Sequence, residues 1–138
     1  MQRSGELEAL VIDWFAAASR GDDTLVRTRF SEDAGVRLIG SDEVEWIEGT
    51  AGIVEFLCGE VAGAAGQVGF EPTDVAAFAS DSMGWASARL EISFPDGNVV
   101  KPRWTAVFQN EGGVWRFVHI HASIPIANEE AGWIYDED

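Results

Sequence analysis

Trp115-Arg116-Phe117-Val118-His119-Ile120-His121-Ala122-Ser123 is the stretch on which the fold turns. It is rich in aromatic and β-branched residues and free of proline and glycine, so residues 114–124 read as a strand. Period-two alternation sets Trp115, Phe117, His119, His121 and Ser123 on one face and Arg116, Val118, Ile120 and Ala122 on the other. Immediately upstream, Asn110-Glu111-Gly112-Gly113 supplies residues suited to positive φ, as a tight hairpin requires. The same grammar continues towards the N-terminus. Residues 99–108 and 85–94 are β-rich runs joined by Pro95-Asp96-Gly97-Asn98, and 75–79 and 68–70 are two more. Pro72 and Pro102 belong at bulges, strand ends or edges, where a missing N–H is tolerated.

The first half has a different period. Leu7, Leu10, Val11, Trp14, Phe15 and Ala18 recur at helical spacing behind the cap Ser4, and Arg20-Gly21-Asp22 stops the run. A helix is predicted over 5–19. A shorter one starts at Asp22 or Asp23 and carries Leu25, Val26 and Phe30. After the break at residues 31–35, 36–39 and 45–47 read as short strands. Thr50 caps a third helix with the stripe Ile53, Val54, Leu57, Cys58 and Val61, ended by Gly63-Ala64-Ala65-Gly66. Helices followed by an antiparallel meander make an α+β pattern. One domain over 1–138 is expected, with a core at about 5–125 and an acidic tail at 126–138 that Trp133, Ile134 and Tyr135 dock.

Composition limits the partners. Nine basic against twenty-four acidic residues among 138 give a net charge of −15, which repels phosphate backbones and anionic lipid, so neither nucleic acid nor membrane is expected as a partner. No apolar run approaches the ~20 residues of a membrane helix, and no signal peptide is expected at the start. The lone Cys58 excludes an internal disulfide and points to the cytoplasm. Lys101 is the only lysine and no glycine-rich phosphate loop follows a strand, so no nucleotide cofactor is expected. The strands are apolar on both faces while three modest helices can cover one. A homodimer is therefore expected, burying Ala88, Leu90, Trp104, Phe108 and Phe117 between subunits.

The order of elements, with Trp46-Ile47-Glu48-Gly49 before the third helix, resembles the nuclear transport factor 2-like superfamily. Its SnoaL-like branch and the association domain of calcium/calmodulin-dependent protein kinase II fit best. The 115–123 stretch is similar to the W-x-x-V-H-F-H-x-S ending of that association domain, and 80–90 resembles its strand ending in an arginine. The resemblance implies a cone: a strongly curved antiparallel sheet wrapped around a pocket that the first helix helps to close. It also implies dimers through the outer sheet face. Carried over residue by residue, it turns Arg89 inward with Trp85 and Ser87, and puts Thr105 and Ala122 where further pocket arginines stand in the association domain. Trp14 would line the same pocket from the first helix. The two histidines would then face outward.

These residues frame the chemistry. Arg89 could fork onto a ligand carboxylate, or pair with Glu91 on its own strand face. His119 and His121 have the spacing of a metal pair, but no third histidine or cysteine lies nearby, so a carboxylate would have to complete the site; they are expected to be structural, and no metal is expected. Asp13, Asp42, Glu45 and Glu91 are the possible carboxylate bases for the isomerase, cyclase or dehydratase chemistry found in the superfamily. Tyr135, the only tyrosine, lies in the tail and gives no oxyanion hole. Cys58 falls on an apolar stripe and reads as inert packing. The leading expectation is a homodimer whose apolar pocket binds a small organic molecule, with a carboxylate as the charged candidate. The alternatives are a cofactor-independent enzyme with a pocket base and a pure association module.

Overall fold

In the computed structural model, which describes residues 1–33 and 35–133, Ser4 begins the fold twice over. Its hydroxyl accepts the Leu7 N–H at 3.2 Å, capping helix α1 (Gly5–Ser19), while its own N–H donates to the Ala77 carbonyl at 2.9 Å. At the other end of α1, the Ser19 hydroxyl donates to the Phe15 carbonyl and accepts the Phe70 N–H at 2.9 Å. The helix is thus bolted at both ends to one long strand. The second helix, α2 (Thr24–Thr28), is entered through Asp22, whose carboxylate accepts both the N–H and the hydroxyl of Thr24. Helix α3 (Thr50–Ala64) starts differently from expectation. Gly49, at φ 93°, occupies the cap position, and Thr50 is already helical, its hydroxyl donating to the Ser31 carbonyl. Ala65 at φ 51° and Gly66 at φ 69° then turn the chain left-handed and end it.

The strands are β1 (Gln2–Arg3), β2 (Arg37–Ile39), β3 (Trp46–Glu48), β4 (Gly69–Ser80), β5 (Met83–Ser93), β6 (Val99–Val100), β7 (Arg103–Glu111) and β8 (Val114–Ser123). They form one curved, unclosed sheet in the order β1-β4-β5-β7-β8-β2-β3, with β6 pairing with β5. The two runs read separately at 68–70 and 75–79 are one strand, broken only by a bulge between Pro72 and Asp74. The β7–β8 turn has Gly112 and Gly113 both at positive φ, the geometry a two-residue hairpin needs. The sheet is mixed rather than wholly antiparallel. Strand β2 runs parallel to β8, Leu38 beside Ile120, a long-range pairing that no local pattern encodes. No helix among the described residues is long and apolar enough to cross a membrane. The tail residues Ile134 and Tyr135 and the acids Asp136, Glu137 and Asp138 lie outside the described residues; Trp133 is largely exposed, and its N–H closes a turn on the Asn128 carbonyl.

The core lies between the helices and the concave face of the sheet. Ala77, Ala86 and Ala106 stand in register across β4, β5 and β7 and are buried, so α1 approaches closely. Beside them, Phe117 is the centre of an aromatic cluster. Its ring lies 4.5 Å from Trp14, 4.7 Å from Phe108, 5.3 Å from Phe30 and 6.3 Å from Trp104, centroid to centroid. The face carrying Ala88, Leu90, Trp104, Phe108 and Phe117 is therefore buried within the chain, not between two subunits. Helix α1 covers the aromatic part of it, and exposed Met83 and Trp85 lie on the opposite face of the sheet.

Two substitutions test this packing by their urea midpoints. Phe117→Ala should cost about 3–5 kcal/mol, as for other large core rings. At Gly84 a Cβ would sit 2.5 Å from a Leu7 methyl and 3.0 Å from the Phe78 carbonyl oxygen. Leu7 is fully buried and cannot swing aside, so Gly84→Ala should cost about 1–3 kcal/mol. A Gly84→Ala midpoint equal to that of wild type would contradict the close approach of α1.

Candidate functional site

Beyond the alanine row, α1, α3 and the inner face of the sheet leave a space between them. A cavity of about 690 Å³ results, within the range that holds small organic ligands. Its walls include Trp14 and Phe15 from α1, Phe56 from α3, and Leu90, Trp104 and Ile120 from the sheet. Exposed Phe94 and Ile124 stand at the rim. Among the described residues, every charged side chain in the lining is acidic: Asp22, Glu45 and Glu60.

Each acid is placed by a different local device. Asp22 is engaged, with Thr24 on one oxygen and the Arg20 guanidinium 3.6 Å from the other. These bonds and the nearby arginine hold its carboxyl below the usual range. Glu45 closes the β2–β3 connection, its carbonyl accepting the Gly40 N–H at 2.8 Å. Its side chain folds back over Gly40, where an added Cβ would collide with the carboxylate and lie 2.8 Å from the Glu45 Cβ. Glycine at position 40 thus makes room for Glu45. Glu60 comes from α3, at the open side of the cavity. Partial burial, and then the charge of Glu45, pushes its carboxyl up. Neither Glu45 nor Glu60 has an ion-pair partner among the described residues.

Of the sequence-derived pocket residues, Trp14 and Ala122 line this cavity. Arg89, Trp85, Ser87 and Thr105 do not. Ser87, Thr105 and His121 are cross-strand neighbours, as are Trp85, Val107 and His119, and both rows lie on the convex face. The buried alternates Ala86, Ala88 and Leu90 take the inside. Alternation grouped Arg89 with Trp85 and Ser87 correctly, but that group faces outward. The Arg89 side chain is 79% exposed and lies 3.9 Å from the Asp74 carboxylate on the next strand, while Glu91 pairs with Lys101. Trp85 stacks on Phe78 with centroids 5.0 Å apart.

Strict alternation also fails in β8. Phe117 pairs with Phe108 but His119 pairs with Val107, so Val118 is an extra residue in a bulge. Phe117 and Ile120 therefore both point inward, and His119 and His121 share the convex face with ring centroids 6.4 Å apart. Burial, and then His121, lowers the pKa of His119. Among the described residues no three His, Cys, Asp or Glu side chains come together as a metal site. The Cys58 thiol is pushed up by burial, which suppresses the reactive thiolate.

The proposed bases divide in the same way. Asp13 is exposed on α1, Asp42 is tied to the Val44 N–H in a loop, and Glu91 is on the convex face; only Glu45 reaches the cavity. Glu60 was not anticipated. A signal for it existed: Phe56, Glu60 and Ala64 recur every four residues, a second face of α3 beside the apolar stripe.

The chain matches the family model for a SnoaL-like domain over residues 7–127. Among curated proteins none matches the sequence. Solved structures share the fold at low identity. A nuclear transport factor 2-like protein of unknown function from Pseudomonas putida superposes with a TM-score of 0.78 at 16% identity, covering 99% of each chain. A candidate dehydratase of that family from Streptomyces avermitilis gives 0.70 at 19% identity over 88% of this chain and 96% of its own. A candidate calcium/calmodulin-dependent protein kinase II association domain from Xanthomonas campestris gives 0.66 at 16% over 91% and 95%. The chain belongs to the SnoaL-like family, a membership that the family model over residues 7–127 establishes, and it shares its fold with nuclear transport factor 2-like proteins.

Proposed function

We propose that this chain is a cytoplasmic, homodimeric binding protein whose cavity holds a small, predominantly apolar organic molecule. The cavity carries the reading. About 690 Å³ walled by tryptophan, phenylalanine and aliphatic side chains is a space that water fills poorly and a hydrocarbon body fills well. A carboxylate ligand is disfavoured, because Arg89 stands outside and no basic side chain among the described residues lines the cavity. The dimer rests on the convex face, where Trp85 and Met83 are partly exposed beside half-buried Val107, Val118 and His119, and Trp46 is exposed at the sheet's far edge. The lone Cys58 suits a reducing compartment.

A second reading, a cofactor-independent enzyme of proton transfer, is favoured by Glu60. A carboxyl whose proton affinity is raised beside an apolar cavity is a candidate for taking and returning a proton. Because its folded pKa exceeds the ordinary 4.5, the group's contribution to stability is fully present below that value and is lost as pH rises through the folded pKa. Glu60→Gln should therefore raise the melting temperature at about pH 7–8 and leave it nearly unchanged near pH 4. Equal effects at both pH values would remove this reading's base.

Ligand binding is checked by melting temperature against a panel of hydrocarbons, alcohols and ketones of the size of a fused bicycle. Binding at about 100 times Kd should add about 2.7 kcal/mol to wild type. Ala122→Phe, which fills the cavity, should abolish the gain. If no compound stabilises wild type, the cavity is vestigial and the association-module reading takes precedence. Light scattering should give twice the 15.0 kDa chain mass, and Trp85→Arg should reduce it to one. A monomeric wild type would exclude the dimer.

A further inference from the structure

We propose that the cavity's ligand is a lipophilic cation, its hydrocarbon body against the aromatic walls and its ammonium group at the mouth between Glu45 and Glu60. This rests on the cavity being a ligand site and adds the charge class of what enters it. Three observations carry it. First, the charged lining is acidic throughout among the described residues, and Asp22 is already engaged by Thr24 and Arg20. Glu45, whose carboxylate accepts only the Asp42 N–H at 3.4 Å, and Glu60 line the same cavity with no cation beside them among the described residues.

Second, no basic side chain among the described residues lines the cavity, and several are paired elsewhere. Lys101 pairs with Glu91, Arg27 with Asp23, Arg37 with Glu48, Arg89 with Asp74 and Arg116 with Glu111. Two carboxylates that line one cavity are therefore held there without a counter-ion among the described residues. Glycine at position 40 is what lets Glu45 occupy this position. A cation arriving with the ligand relieves that repulsion, whereas an anion adds to it.

Third, the rest of the molecule favours the same sign. A net charge of −15 draws cations towards every opening and repels anions.

The test uses two hydrocarbon skeletons, adamantyl and naphthylmethyl, each as its ammonium, alcohol and carboxylate derivative, titrated calorimetrically at low and at high salt. Ammonium forms should bind wild type about tenfold more tightly than the alcohols, a modest advantage because the mouth is open to solvent. Carboxylates should bind most weakly, and the ammonium advantage should shrink in high salt. In the Glu45→Gln, Glu60→Gln double variant the ammonium forms should fall to the affinity of the alcohols. Unchanged alcohol binding in that variant shows that its cavity is intact. Alcohols equal to or tighter than ammonium forms in wild type would overturn the charge assignment while leaving the cavity as a ligand site. An ammonium advantage that survives in the double variant would overturn the role of the two glutamates. Absence of binding by all six compounds would overturn the ligand site itself.

Discussion

Phe117 is held by ring and backbone together, and the site depends on that double attachment. Its N–H donates to the Arg29 carbonyl at 2.8 Å, and its carbonyl accepts the Ser31 N–H at 3.0 Å. The chain after α2 is thereby stitched alongside β8, which leads β2 into its parallel place on the same strand. The ring meanwhile joins Trp14 of α1, Phe108 and Trp104 of β7, and Phe30. One residue thus couples the first helix, the centre of the sheet and the entry to its far edge. The next residue, Val118, is the bulge, so the strand changes phase directly after its most constrained point.

That phase change divides the molecule chemically. Inside, Phe117 and Ile120 continue an apolar surface that runs from the aromatic cluster into the cavity wall. Outside, the two histidines line up with Trp85, Ser87, Val107 and Thr105. The basic groups are largely on the convex face, in the helix connections or at chain turns, and the cavity receives acids only among the described residues. An apolar interior with a negative mouth selects first by shape and hydrophobicity, then by charge. The same surroundings push the Glu60 carboxyl up, first through burial and then through the charge of Glu45.

Much of the fold is legible in the chain because its signals are local. Ser4 followed by apolar residues at helical spacing specified α1 to the residue. Paired glycines at 112–113 specified the last hairpin, since few other residues adopt two successive positive φ values. The stretch at 115–123 carried the family resemblance, and the family model covers most of the chain. Trp14 and Ala122 were placeable at a pocket because one lies on the buried stripe of α1 and the other on the strand whose ending carries the resemblance.

What the sequence by itself determined is which residues share a helix stripe or the face of an unbroken strand; what only the tertiary structure decided is which face is inside and where a strand changes phase. Alternation is symmetric: it groups Trp85, Ser87 and Arg89, but turning them inward or outward depends on where α1 lies, through Ser4, Ser19 and the alanine row. A single extra residue at Val118 then inverts the relation between the two ends of β8, and its location is set by the partner strand's register. Glu45 and Glu60, fifteen positions apart, become neighbours only when the β2–β3 connection and α3 close over the same cavity. Distance along the chain carries no information about such a meeting, because the free energy that brings it about comes from apolar burial elsewhere in the core.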